Sequence, residues 1–207
     1  MLGLYPFDPD DPRDLRQPHG ADDAVRPGKG HEGADALNRA QPWLIALSGL
    51  PGVGKTTIAR RLARRIGAQY LRVDSIETAL KHSSLRIEAA EDAGYRVLAA
   101  VARDNLGLGR DVIADTVNPI ALTRQLWAET AGAAGARLLD VEIICSDPDE
   151  HRRRIETRQA DLPGHVLPDW QAVLDRDYEP WAQPVLTLDT AVLGPEQLVE
   201  RIVDRLR

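Results

Sequence analysis

A chain of 207 residues with 43% apolar residues is long enough to bury a core as one domain with an attached tail. Its formal net charge of −6 argues against a polyanion, so nucleic acid is set aside as a partner. A single cysteine, Cys145, excludes an intrachain disulfide. With no long apolar run and no basic-then-apolar leader pattern, the expectation is a cytoplasmic protein with no membrane partner.

Residues 1–41 carry Pro6, Pro9, Pro12, Pro18 and Pro27, an acidic start at Asp8, Asp10 and Asp11, and no apolar period. Such a segment cannot offset its ordering entropy by burial, so a disordered or loosely packed extension is expected. From residue 42 to 207 the pattern is regular. Trp43 to Leu47 is a short apolar run that reads as a buried strand ending at Ser48-Gly49. Lys55 to Ile66 has helical spacing, with Ile58, Leu62 and Ile66 on one stripe, and Gly67 ends it. Tyr70 to Val73 reads as a second strand closing at Asp74, and a helix with Ser75 as N-cap follows to about Lys81.

A longer helix is expected over 88–108. Val112 to Ala114 reads as a third strand ending at Asp115, and Pro119 suits the first turn of a helix reaching Ala134. Leu138 to Cys145 is a fourth strand, Ser146-Asp147-Pro148 caps an Arg-rich helix over 149–158, and 159–169 is loop-like. A helix from Trp170 to about Tyr178, a strand from Val185 to Leu188 and a helix from Glu196 to Leu206 complete the chain. Strands apolar on both faces and alternating with helices imply an α/β protein, a five-stranded parallel sheet covered by helices on both faces.

Gly49-Leu50-Pro51-Gly52-Val53-Gly54-Lys55-Thr56 fits the phosphate-binding pattern G-x-x-x-x-G-K-[ST] at every fixed position, between a strand and an amphipathic helix. Its glycines let successive N–H groups turn inward at the positive end of a helix. Lys55 is suited to the β- and γ-phosphates of ATP, Thr56 to magnesium, and Thr57 to the α-phosphate. Lys55 is one of only three lysines, with Lys29 and Lys81.

Ligands of open parallel sheets bind beyond the carboxyl ends of the strands, where Asp74 and Asp115 stand. Asp74 is suited to orient or deprotonate an attacking hydroxyl, and Asp115 to hold the magnesium shell as a Walker B acid. The reverse assignment fits the spacing too; a helix N-cap or a solvated turn residue is the plain alternative for each, and the functional role is the reading favoured for both. Arg154 and Arg158 share one helical face ahead of a Pro/Gly-bearing loop, as the cationic part of a mobile lid would. Glu77, Arg96 and Asn118 are the candidate acceptor contacts. His82, His151 and His165 lack metal-ligand spacing.

With these stretches quoted, the chain resembles the P-loop kinases of the nucleoside-monophosphate-kinase-like fold. That group includes gluconate, shikimate and adenylylsulfate kinases, chloramphenicol phosphotransferase and zeta-toxin-like kinases, and bacterial proteins described as AAA-family ATPases. The likeness rests on Ser48 to Thr57, Tyr70 to Glu77, Ala114 to Pro119 and Cys145 to Arg158. It implies a P-loop NTPase fold with an Arg-bearing lid and transfer of a phosphoryl group from ATP, with Mg2+, to a hydroxyl of a small molecule. It also implies Asp74 as the acid at the acceptor hydroxyl, Arg154 and Arg158 as lid arginines, and a monomer or homodimer. The alternative is a nucleotide-dependent regulatory ATPase or switch. A guanine-reading N-K-x-D segment is absent, since Asn118-Pro119-Ile120-Ala121 is not one.

Overall fold

The computed structural model describes residues 41–84, 87, 90 and 92–207. The expected N-terminal extension lies outside the described residues except for its last position, as does most of the stretch 85–91.

Five strands form one sheet: β1 (Trp43–Ser48), β2 (Gln69–Arg72), β3 (Val112–Asp115), β4 (Arg137–Ile144) and β5 (Leu186–Asp189), in the order β2-β3-β1-β4-β5. Every neighbouring pair is parallel. The helices are α1 (Lys55–Ile66), α2 (Val73–Lys81), α3 (Ala93–Gly107), α4 (Ala121–Ala133), α5 (Pro148–Thr157), α6 (Trp170–Leu174) and α7 (Pro195–Leu206). The parallel α/β architecture is the one expected.

Successive residues of a strand point to opposite faces, so β1 feeds two cores. Ile45 and Leu47 pack with Ile58 and Leu62 of α1 and Leu198 and Ile202 of α7. Leu44 and Ala46 pack with Leu98 and Leu106 of α3 and Trp127 of α4. Leu44, Ile45 and Leu47 are fully buried, which accounts for the unbroken apolar run read in the sequence. With β1 between β3 and β4, the chain leaves the sheet in opposite directions on either side of it. A crevice therefore opens at its carboxyl end. No helix among the described residues is long and apolar enough to cross a membrane.

Three expected boundaries are corrected. Helix α2 begins at Val73 with extended Arg72 as its N-cap residue, so Ser75 lies inside the helix and Asp74 occupies its first turn. Pro119 precedes α4 rather than opening it, because Asn118 has φ +50° and Ile120 is extended. Helix α6 stops at Leu174 instead of reaching Tyr178, because the next segment is fastened elsewhere. The buried Arg124 donates to the carbonyls of Asn118 (3.3 Å), Pro119 (3.1 Å) and Pro180 (3.1 Å), and to that of Glu179 (2.5 Å). It also lies over the Trp181 ring, 4.2 Å from the centroid. The guanidinium thus ties the Glu179–Pro180 stretch to the Asn118–Pro119 turn, which holds it in an irregular path where about one further helical turn was expected.

Candidate functional site

The loop from Gly49 to Gly54 follows β1 and turns back against β4. Gly49 has φ +130°, and a Cβ there would lie 2.1 Å from the Ile143 carbonyl oxygen. Gly52 has φ +83°, with space for a Cβ taken by Ile155 of α5 at 2.5 Å. Those two positions therefore require glycine. The loop is braced from behind. His151 Nε2 donates to the Pro51 carbonyl at 2.7 Å, and its ring meets Trp170 edge-on at 5.2 Å. The Thr190 hydroxyl lies 2.9 Å from the Val53 carbonyl and 3.0 Å from that of Ile144, and donates to one of them.

Helix α1 starts at Lys55 with no side-chain cap at Gly54 and no acid in its first turn. Its first amides are left for a ligand, which is the arrangement an anion binds. Lys55 is buried, and its ammonium donates to the carbonyls of Gly49 at 2.7 Å and Leu50 at 2.9 Å. Burial lowers its pKa to about 8, while the charges of Asp115 and Asp74 pull the other way.

Asp115 closes β3 and is 3% exposed. Burial raises its pKa; Lys55 and hydrogen bonds from Thr56 and Tyr70 oppose the rise. The Tyr70 hydroxyl donates to Asp115 Oδ2 at 2.8 Å. Thr56 and Asp115, expected as the metal pair, thus stand together beside Lys55. Among the described residues no group of three or more His, Cys, Asp or Glu side chains could hold a metal. One acid and one hydroxyl suit magnesium, which keeps several waters and takes oxygens from a bound nucleotide.

Asp74 sits across the crevice. Arg72 Nε and Nη2 donate to its Oδ2 at 3.2 and 3.0 Å. Glu77 is one turn further along α2, held close by Gly94 of α3, where a Cβ would lie 2.6 Å from the Glu77 side chain. Burial and the charge of Asp74 raise the Glu77 pKa; Lys81 and Arg176 oppose. A cleft of about 790 Å³ joins these parts, with the P-loop, Lys55, Thr56 and Thr57 on one wall and Asp74, Glu77, Lys81 and Tyr95 on another. Arg158, Asp161 and residues 165–168, from the end of α5 and the segment between α5 and α6, also line it.

Several expected residues behave differently. Arg154 borders the cleft, but its guanidinium is committed to Glu150 Oε1 (2.8 Å), the Thr190 hydroxyl (2.7 Å) and the Thr190 carbonyl (3.1 Å). It braces α5 to the end of β5. Arg158 makes no hydrogen bond or ion pair through its side chain among the described residues, and its charge reaches Lys55. Arg96 is corrected: it lies 74% exposed on α3, away from the cleft, paired with Asp92 one turn before it. Asn118 is corrected too: it is fully buried behind the cleft wall, donating its backbone N–H to the Tyr95 hydroxyl at 2.9 Å.

Sequence reasoning missed Tyr70, Arg72, Asp161, His165 and Arg176. Arg72 carried a signal, two positions before Asp74 at the end of a strand. Asp161, His165 and Arg176 lie in segments without periodicity, and only the tertiary fold brings them to the cleft.

A family model described as "AAA domain" matches residues 44–176. The chain is 29% identical over 185 residues to the adenylyl-sulfate kinase of Pseudomonas aeruginosa, covering 85% of this chain and 91% of that protein. It is 29% identical over 199 residues to the shikimate kinase of Bradyrhizobium diazoefficiens, covering 89% of each. Among solved structures, the Mycobacterium tuberculosis APS kinase in complex with AMPPNP and APS matches with a TM-score of 0.60 at 20% identity, over 80% of this chain and 98% of that one. A gluconokinase from Sinorhizobium meliloti matches with a TM-score of 0.53 at 17% identity, over 81% and 97%. At these identities the two structures speak for the fold.

Proposed function

The chain belongs to the AAA-domain family, and from that membership and the cleft we propose that it is a P-loop kinase moving the γ-phosphoryl group of ATP to a hydroxyl of a small molecule. The observation that carries this reading is the cleft at the carboxyl end of the sheet. It sets an uncapped helix start and a buried lysine on one wall and a held carboxylate, Asp74, on the other. The curated relatives quoted above, matched over most of their length, are kinases of small molecules, which supports the same class of reaction.

In this reading the amides of Gly49 to Thr57 and the Lys55 ammonium hold the phosphates. To do so, Lys55 exchanges its loop carbonyls for phosphate oxygens. Thr56 and Asp115 hold Mg2+, which when bound would neutralise charge on the β- and γ-phosphates. The residues present fit that ion: one carboxylate and one hydroxyl, both hard oxygen donors, beside a cleft with room for water. Arg158 brings positive charge to the transferring group, where charge spreads over the equatorial oxygens. Asp74 orients the acceptor hydroxyl and takes up its proton as the new P–O bond forms, while the bond from the γ-phosphorus to the bridging oxygen breaks and ADP leaves with that oxygen. The lid segment, folded over the cleft, limits transfer to water. Glu77, Lys81, Tyr95 and His165 form the wall an acceptor meets.

ADP release measured across a library of hydroxyl-bearing metabolites and antibiotics tests the reading. Acceptor-stimulated turnover supports it; hydrolysis that no acceptor stimulates counts against it. Asp74→Asn is expected to lower turnover by at least about a hundredfold while nucleotide affinity changes less than about threefold. An Asp74→Asn variant with full turnover removes Asp74 from the chemistry.

A further inference from the structure

Arg72 is the last residue of β2, and its side chain is 3% exposed. A guanidinium this buried needs partners, and it draws them from both sides of the cleft. On one side are the two donations to Asp74 Oδ2 described above. On the other, Nη1 donates to both oxygens of Asp161, at 3.0 and 2.8 Å. Asp161 belongs to the lid segment between α5 and α6, and Arg60 of α1 also donates to its Oδ2, at 2.7 Å. Two cations and two carboxylates thus balance only while the lid segment is docked. The same segment is fastened to α2 a few residues later. His165 Nδ1 lies 3.3 Å from the Thr78 hydroxyl, and Nε2 lies 3.9 Å from Asp74 Oδ2. Gly164 sits so close to the His82 ring that a Cβ would meet it at 2.3 Å.

We propose that Arg72 is a positioning residue that ties lid docking to the orientation of Asp74 through one shared guanidinium. Both Arg72 donations to Asp74 go to Oδ2, which leaves Oδ1 as the oxygen free to meet an acceptor. With Asp161 in place, Arg72 is held at two of its edges and cannot rotate without losing two charged hydrogen bonds. The planar fork of arginine makes this possible, since it presents separate edges to separate carboxylates and a lysine ammonium cannot. When the lid segment leaves, Arg72 keeps one acid and gains freedom, and Asp74 loses its fixed orientation. Hydroxyl activation is thereby reserved for the state in which water is shut out. This coupling rests on the reading of Asp74 as the acid at the acceptor hydroxyl.

The test uses the full chain with Asp161→Asn, Arg72→Lys, the double variant and Asp74→Asn. Three quantities are read: amide hydrogen exchange over residues 159–168, affinity for MgADP, and the turnover of MgATP stimulated by the strongest acceptor of the library above, with hydrolysis in its absence subtracted. Asp161→Asn is expected to speed exchange of the lid segment and to lower kcat, each roughly tenfold, with MgADP affinity within about threefold of the parent. Arg72→Lys should do the same, and the double variant should be no worse than either single, because the two residues act as one unit. Additive losses, or a loosened lid with unchanged kcat, would overturn the proposal. Asp161 lies near the surface, so its variant keeps the test decisive if Arg72→Lys folds poorly. Asp74→Asn separates the two claims. If it retains full acceptor-stimulated turnover, the role of Asp74 fails. If it is inactive while Asp161→Asn and Arg72→Lys keep full kcat, Asp74 stands and the latch falls.

Discussion

Raising the pH should weaken nucleotide binding through Lys55 alone. In the free protein burial holds the Lys55 pKa at about 8. A triphosphate beside the ammonium restores it toward the ordinary range, so the bound pKa lies above the free one. The sign follows: binding is full below pH 8 and weakens as pH rises through it, because the ammonium must then regain its proton. A group titrating at about 8 is roughly nine-tenths charged at pH 7 and one-tenth charged at pH 9, so affinity should fall about tenfold, or about 1.4 kcal/mol. Titration calorimetry with magnesium and a non-hydrolysable ATP analogue measures this directly. Repeating it in buffers of different ionisation heat should give about half a proton taken up per nucleotide at pH 8 and nearly one at pH 9. Lys55→Arg keeps its charge throughout and serves as the reference that cancels ionisation of the nucleotide. Equal slopes for both proteins, with no proton uptake in the parent, would show that burial does not depress this lysine.

Three further outcomes are expected. Tyr70→Phe removes the hydroxyl bonded to Asp115 at 2.8 Å. It should raise the magnesium concentration for half-maximal turnover about tenfold, and an unchanged magnesium dependence would remove Tyr70 from the metal's support. Gly49→Ala places a methyl 2.1 Å from the Ile143 carbonyl oxygen at a backbone φ of +130°. It should cost about 2 kcal/mol or more in urea unfolding and abolish retention of nucleotide; a stable, binding variant would contradict the loop geometry. For Asp161, burial raises the carboxyl, but hydrogen bonds from Arg72 and Arg60 outweigh that and carry it from 3.8 to about 2. Its contribution to lid docking is then complete above pH 4 and lost as pH falls through 2. Carbon-13 NMR of the side-chain carboxyl should find that midpoint, and Arg60→Met should raise it toward 3.8.

The sheet, the phosphate loop and the strand-end acids are legible along the chain, because each depends on local rules. Strand burial shows as an unbroken apolar run at Leu44 to Leu47, and helix burial as the stripe Ile58, Leu62 and Ile66. The loop from Gly49 to Thr56 is legible because its backbone geometry needs glycines at fixed spacing. Asp74 and Asp115 were findable because a parallel sheet places the ends of its strands at one rim. What surrounds them was decided by the tertiary structure. Arg154 and Arg158 read as one helical face, but α5 ends at Thr157 and Arg158 is its extended C-cap residue; Glu150 and Thr190 satisfy Arg154, while Arg158 lines the cleft. Arg96 and Asn118 looked equivalent to Glu77 as polar residues near the acceptor region. Helix rotation sends Arg96 outward, and the left-handed turn at residue 118 buries Asn118. The partners of Arg72 come from Asp74, two residues away, and from Asp161, 89 residues away. A charge pair closed across that much chain depends on where helices and loops come to rest, and no local period in the sequence records it.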